Sequence, residues 1–192
     1  MKILGISGSV RSGSYNTGLL RTAAGMFPAD LDFEIWERLK EVPPYDEDDD
    51  TDTPLAAVAA LREALADADG VFFATPEYNS SIPGQLKNAI DWASRPLATN
   101  PLRNKPVAVV GASTGAFGAV WSQADLRKVL AATGARVVEG EVAVGHAPTR
   151  FGEDGLLADE DLLGQLQEVV DGLVEAVDAR TMGPRAPAVR AA

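Results

Sequence analysis

Short apolar runs, each ended by glycine, serine or proline, alternate with longer stretches of helical apolar spacing along almost the whole chain. Lys2 to Gly8 is the first run, and Ser14 to Met26 follows with Leu19, Leu20 and Ala23 at helical intervals. Leu31 to Trp36 alternates residue by residue, with Leu31, Phe33 and Ile35 on one face, which predicts a second strand ended before Pro43-Pro44. Pro54 opens an alanine-rich helix carrying Val58, Leu61 and Leu65, and Gly70 closes it. Val71-Phe72-Phe73-Ala74 and Val107-Ala108-Val109-Val110 are apolar throughout, as strands covered on both faces are. Pro83-Gly84 starts a helix to about Ser94, and another runs from about Gly118 to Thr133, closed by Gly134. Arg136 to Val144 predicts a fifth strand with a bend at Gly140, and Asp159 to Ala179 predicts the last helix, with Leu166, Val169, Val170, Leu173 and Val177 at helical spacing.

Parallel strands need a crossover between them, and helical crossovers cover both faces of the sheet. The pattern therefore predicts an α/β fold, a doubly wound five-stranded parallel sheet with helices on both faces, over residues 1–180. Residues 181–192, rich in Pro, Arg and Ala without periodicity, are expected to be a mobile tail.

Charge and cysteine content narrow the chemistry. A formal net charge of −11 repels nucleic acid at long range, and it opposes any phosphorylated ligand unless a local pocket of backbone N–H groups and a cation offsets it. With no cysteine there is no disulfide, thiolate metal site or cysteine nucleophile, so redox chemistry must come from a cofactor. No apolar run approaches the roughly 20 residues of a membrane span, and Met1-Lys2 passes straight into Ile3-Leu4-Gly5-Ile6 without the features of a leader. The expectation is a soluble, cytoplasmic protein without nucleic-acid or membrane partners.

In open parallel sheets ligands bind beyond the carboxyl ends of the strands, so three loops should meet at one site: residues 8 to 17, 75 to 84 and 111 to 118. The first, Gly8-Ser9-Val10-Arg11-Ser12-Gly13-Ser14-Tyr15-Asn16-Thr17, sets hydroxyls, an amide, free N–H groups and one arginine at a helix N-terminus. That is a phosphate cradle, although the same residues would also serve as a helix cap and turn. Ser14-Tyr15 stand where a Walker A loop needs Lys and Ser/Thr, and G-x-G-x-x-G is absent.

The third loop contains Gly111-Ala112-Ser113-Thr114-Gly115, a G-x-S-x-G followed by Asp125 and His146 in the chain order of an α/β-hydrolase triad. Against hydrolysis, Asp125 lies only twelve residues beyond Ser113, inside a predicted helix, and no oxyanion loop of the HGGG type appears. His146, the only histidine, is given no role, and the acidic tract Asp46 to Asp52 reads as a solvated run rather than a metal site. Lys87 and Asp91, at i,i+4, read as a surface pair worth about 0.3 kcal/mol. Trp92 reads as buried packing or an interface, with Tyr45 left open between core, lid and contact.

The second loop, Pro76-Glu77-Tyr78-Asn79 running into Pro83-Gly-x-Leu-Lys-Asn-Ala-Ile-Asp-Trp92, together with Gly8-Ser-x-Arg11-x-x-Ser14-x-Asn16, closely resembles the NADPH-dependent FMN reductase family, which includes quinone and chromate reductases. The resemblance covers nearly the whole chain and implies a flavodoxin-like fold. It implies FMN phosphate on Ser9, Arg11, Ser14, Asn16 and Thr17, the isoalloxazine along Pro76, Glu77, Tyr78 and Asn79, and contacts to its pyrimidine side from Ser113, Thr114 and Gly115. It further implies NADPH or NADH as co-substrate, hydride transfer through flavin N5 to a quinone-like, flavin or other small acceptor, and a homodimer or dimer of dimers. In this scheme no side chain acts as catalytic acid or base, and no metal is needed. The rival is a flavodoxin-type electron carrier, whose usual T-x-T-G-x-T loop is absent.

Overall fold

A computed structural model describes residues 1–181. Five strands and five helices follow the predicted order: β1 (Lys2–Ser7), α1 (Tyr15–Ala24), β2 (Asp32–Ile35), α2 (Ala56–Asp67), β3 (Gly70–Thr75), α3 (Gly84–Ala93), β4 (Pro106–Ala112), α4 (Val120–Ala132), β5 (Arg136–Val137), and, after one further short strand β6 (Ala143–Val144), α5 (Glu160–Thr181). Thr181, where the tail is expected to begin, is still helical, and the rest of that stretch lies outside the described residues.

The sheet order is β2-β1-β3-β4-β5 with every pairing parallel, and β6 also pairs with β4. Alternation along the central strands divides the core. Leu4, Ile6, Val71, Phe73, Val107 and Val109 pack on one face against α2, α3 and α4. Ile3, Phe72, Ala74, Ala108 and Val110 pack on the other against α1 and α5. Because β1 and β3 are neighbours while their following helices lie on opposite faces, the loops after them diverge and leave a crevice at their carboxyl ends.

The expected fifth strand is two pieces rather than one bent ribbon. Its ladder to β4 holds at Arg136 and Val137, breaks, and resumes at Ala143 and Val144. Gly140 sits at φ +106, open to few residues besides glycine, and a Cβ there would stand 2.8 Å from Val169 Cγ2. Two side chains of α4 bridge the gap. Arg127 donates to Val109 O at 2.8 Å, to Val138 O at 2.9 Å and to Gly140 O, and Gln123 donates to Val142 O at 3.2 Å. Burial pushes the Arg127 guanidinium below its usual pKa, and its carbonyl partners explain why the charge is tolerated inside.

Candidate functional site

The three loops do meet. The hollow they enclose, about 240 Å³, is lined by Ser9, Arg11, Ser14 and Asn16 of the first loop and its helix, by Pro76, Glu77 and Tyr78 of the second, and by Ala112, Ser113 and Thr114 of the third. Of the residues expected at the site, Thr17 instead lines an adjoining hollow, and Asn79 and Gly115 line neither.

Ser14 caps α1, its Oγ accepting from the N–H groups of Asn16 at 3.2 Å and Thr17 at 3.4 Å. The N–H groups of residues 10 to 15 have no hydrogen-bond partner among the described residues. This is a run of open donors at the positive end of a helix dipole, the arrangement that receives an anion. Arg11 stands over it, with its Cζ 5.3 Å from the centre of the Tyr15 ring and one long hydrogen bond, 3.3 Å, to Ser12 O.

Asn16 is spent differently from the sequence expectation. Its side chain is buried, its Nδ2 donating to Ala112 O and its Oδ1 accepting from Ala112 N–H, both at 3.0 Å. The neighbouring N–H groups of β4, at Gly111 and Ser113, point to the other side, toward Val142 and Val144. Ala112 therefore faces the β3 side, where that strand has already ended at Thr75 and Pro76 has no N–H to offer. The Asn16 amide takes the place of the missing strand and fixes the first loop to the third.

Glu77 is also committed. Its Oε2 accepts from Trp121 N at 3.1 Å and Ser122 N at 3.2 Å, so a carboxylate sits on the first turn of α4 and ties the second loop to it. Tyr78 and Ser81 exchange backbone hydrogen bonds, both 3.2 Å, across a two-residue turn in which Asn79 and Ser80 have φ +53 and +59. Asn79 is thus the tip of a tight hairpin, and the Tyr78 ring, 52% exposed, stands at the mouth of the hollow. The N–H groups of Glu77 and Thr114 have no partner among the described residues, leaving two further donors on residues that line it.

The serine-hydrolase constellation does not assemble. Asp125 accepts from Ser81 Oγ at 2.7 Å, Ser113 Oγ accepts from Gly115 N–H at 3.1 Å, and His146 lines a different hollow with Arg150 and Asp159. A fluorophosphonate probe is expected to leave Ser113 unmodified. Stoichiometric labelling of that residue, with an esterase activity lost in Ser113→Ala, would return the loop to hydrolysis.

Trp92 is fully buried, with Nε1 donating to Pro43 O at 2.9 Å and the Tyr45 ring edge-on at 4.8 Å, so both belong to the core on the α3 face of the sheet. Lys87 and Asp91 form the expected pair, 2.7 Å apart and partly exposed. In the acidic tract Asp46 caps a short 3-10 turn and Asp50 pairs with Arg62 at 2.8 Å.

The adjoining hollow is larger, about 430 Å³, and shares Ser9, Arg11, Ser14 and Tyr15 with the first. Val10, Ser12, Gly13 and Thr17 of the first loop also line it, and among the other lining residues Arg21, Glu37 and Phe151 were not singled out by the sequence. They come from a helix, a strand end and a late loop, and only position relative to the first loop could have flagged them: Arg21 one helical turn beyond Thr17, Glu37 two residues beyond β2.

Known proteins resemble this chain over most of its length. The sequence model for "NADPH-dependent FMN reductase" matches residues 1–149. An NAD(P)H-dependent FMN reductase of Pseudomonas aeruginosa is 41% identical over 174 residues, 90% of this chain and 93% of that protein. A 2-hydroxy-1,4-benzoquinone reductase of Burkholderia sp is 38% identical over 172 residues, 89% of this chain and 93% of that one. Among solved structures, the flavoenzyme NAD(P)H:(acceptor) oxidoreductase FerB of Paracoccus denitrificans superposes with a TM-score of 0.80 at 32% identity, covering 92% of this chain and 97% of its own.

Proposed function

The chain belongs to the NADPH-dependent FMN reductase family, and from that premise we propose that the three-loop hollow holds FMN, with its phosphate on the first loop and its ring against the second and third. The activity is FMN-dependent NAD(P)H oxidoreduction, with a small molecule as electron acceptor. The observation that carries the assignment is the run of unpartnered N–H groups at residues 10 to 15 beside Arg11, where the three-loop hollow runs into the adjoining one. A phosphate dianion satisfies several such donors at once, and on a chain of net charge −11 it needs the loop cation beside them.

Ser9 and Ser14 hydroxyls and the loop N–H groups would hold the phosphate, with Arg11 supplying the charge. Asn16 keeps the cradle registered on β4, and Thr17 serves from the adjoining side. Pro76, Glu77 and Tyr78 would flank the ring, and Asn79 shapes their hairpin. The open N–H of Thr114, beside Ser113 and Gly115, suits a carbonyl or ring nitrogen that gains negative charge on reduction. FMN held there would supply the hydride-transfer chemistry between a nicotinamide and the acceptor. The protein's part is to hold the ring edge, leave one face open and supply hydrogen-bond donors. No side chain in the hollow is required to move a proton.

The test is anaerobic mixing of the purified, FMN-loaded chain with NADPH. Rapid bleaching of the flavin absorbance without any partner reductase is expected, and an unchanged spectrum would favour an electron carrier. Tyr78→Ala is expected to weaken FMN or lower turnover by about 2- to 10-fold, the worth of one aromatic contact, without changing the melting temperature. Its side chain is exposed and its turn is held by backbone bonds. Wild-type affinity and turnover in that variant would take Tyr78 out of the site.

The reading also takes residues 1–180 as one catalytic domain, cytoplasmic, and assembled as a homodimer or dimer of dimers. Exposed apolar side chains near the second loop support association: Phe117 and Trp121, 64% and 47% exposed, pack edge-to-face at 5.0 Å. Among the described residues no helix is long and apolar enough to cross a membrane.

A further inference from the structure

Asp125, left over from the triad that does not assemble, is a carboxylate whose one hydrogen bond among the described residues comes from Ser81 Oγ, at 2.7 Å. It lines neither hollow at the site and makes no ion pair among those residues. The helix that carries it is a fixed platform. Leu126 and Leu130 of α4 are fully buried in the core, and Arg127 and Gln123, two residues to either side of Asp125, hold the helix to the sheet through Val109 O and Val142 O. A short hydrogen bond from a hydroxyl to a carboxylate is among the stronger ones in proteins, so Ser81 is pinned to that platform.

Ser81 closes the hairpin that begins at Tyr78, with which it exchanges both backbone hydrogen bonds. The tip, Asn79 and Ser80, has a left-handed φ at both positions, a conformation that residues other than glycine adopt infrequently. The hairpin therefore gains from being held from outside, and α4 holds it at both ends. Glu77, just before the turn, sits on the N–H groups of Trp121 and Ser122, and Ser81, at its end, bonds to Asp125 one helical turn beyond Trp121. Tyr78 lies between these two ties, with its half-exposed ring at the mouth of the three-loop hollow.

We infer that Asp125 is a positioning residue: by holding Ser81 it fixes the Tyr78 hairpin against α4, and the hairpin so fixed slows the release of FMN. The inference rests on FMN occupying the three-loop hollow. With the pin in place Tyr78 meets the flavin without first having to be ordered, and the contact keeps its full worth. Without it the hairpin keeps its backbone bonds and the tie at Glu77, but its Ser81 end is released and Tyr78 spends part of its time away from the mouth. The effect of Asp125 is thus bounded by what the Tyr78 ring contributes.

The test follows the release of FMN from the loaded full chain, read as the change in flavin fluorescence after dilution. Asp125→Ala and Ser81→Ala are each expected to release FMN about 2- to 10-fold faster than wild type, no more than the aromatic contact is worth. Asp125→Asn keeps an acceptor for Ser81 Oγ and is expected to stay near the wild-type rate. The same substitutions in a Tyr78→Ala background separate positioning from scaffolding, because with the ring absent the loss of Asp125 is expected to change nothing further. Release from Asp125→Ala and Ser81→Ala at the wild-type rate, or an acceleration that persists in full without the Tyr78 ring, overturns the positioning role while leaving the FMN site standing. If Asp125→Ala does not fold, Ser81→Ala, which removes only a partly buried hydroxyl from the same bond, decides alone. A chain that takes up no FMN removes the FMN reading and this inference together.

Discussion

Asn16→Ala is expected to lower the stability of the chain by about 2 to 4 kcal/mol and to weaken FMN and riboflavin alike by about tenfold or more. The reason is the position of Ala112. Its N–H and C=O are buried on the side of β4 that β3 no longer reaches, and the Asn16 amide is the group that satisfies both, at 3.0 Å each. Alanine leaves a buried donor and a buried acceptor without partners, each costing about 1 to 3 kcal/mol, partly relieved by any water that enters. It also releases the first loop from the third, so the walls of the hollow lose their register. Urea unfolding with an unchanged m-value reads the first effect, and flavin titration reads the second. A direct phosphate contact from Asn16 would instead weaken FMN and spare riboflavin, and wild-type stability would mean that Ala112 finds its partners elsewhere.

This residue shows where reading from sequence stops. Its type, two positions past an N-cap serine in a polar loop, points to a phosphate ligand, whereas its function is set by a backbone group 96 residues away. Glu77 is the same case: a loop carboxylate beside a presumed ring that proves to sit on the first turn of α4. What was legible is what depends on local spacing. Fully apolar Val71 to Ala74 and Val107 to Val110 read as central strands, and Ser14 stood where a helix cap or a phosphate contact was expected. The alternation then located the three loops, because strand order in a doubly wound sheet leaves one crevice for them to meet in. The broken fifth strand was not legible, since its gap is bridged by Arg127 and Gln123, two residues that read as the polar face of a helix. Arg21, Glu37 and Phe151 were not legible at the site either, because they come from separate segments and share no motif.

The same distinction between scaffold and ligand contact makes Arg11 the residue on which flavin affinity most depends. FMN brings a phosphate of nearly two negative charges to a chain of net charge −11, and Arg11 is the single cation of the first loop. The helix N-terminus contributes about 0.3 to 1 kcal/mol, too little to offset that background, whereas a charge-assisted hydrogen bond contributes about 1.5 to 3 kcal/mol. Arg11→Ala is therefore expected to weaken FMN by about 10- to 100-fold. Little of the fold depends on this side chain, since it is exposed, makes one long hydrogen bond within its own loop and otherwise rests on Tyr15. Riboflavin lacks the phosphate and should bind the variant almost as it binds wild type. Titration of both flavins into apoprotein of each form separates the charge of Arg11 from the shape of the cradle. A loss shared equally by the two flavins would make Arg11 a scaffold residue like Asn16, and no loss for FMN would move the phosphate away from this loop.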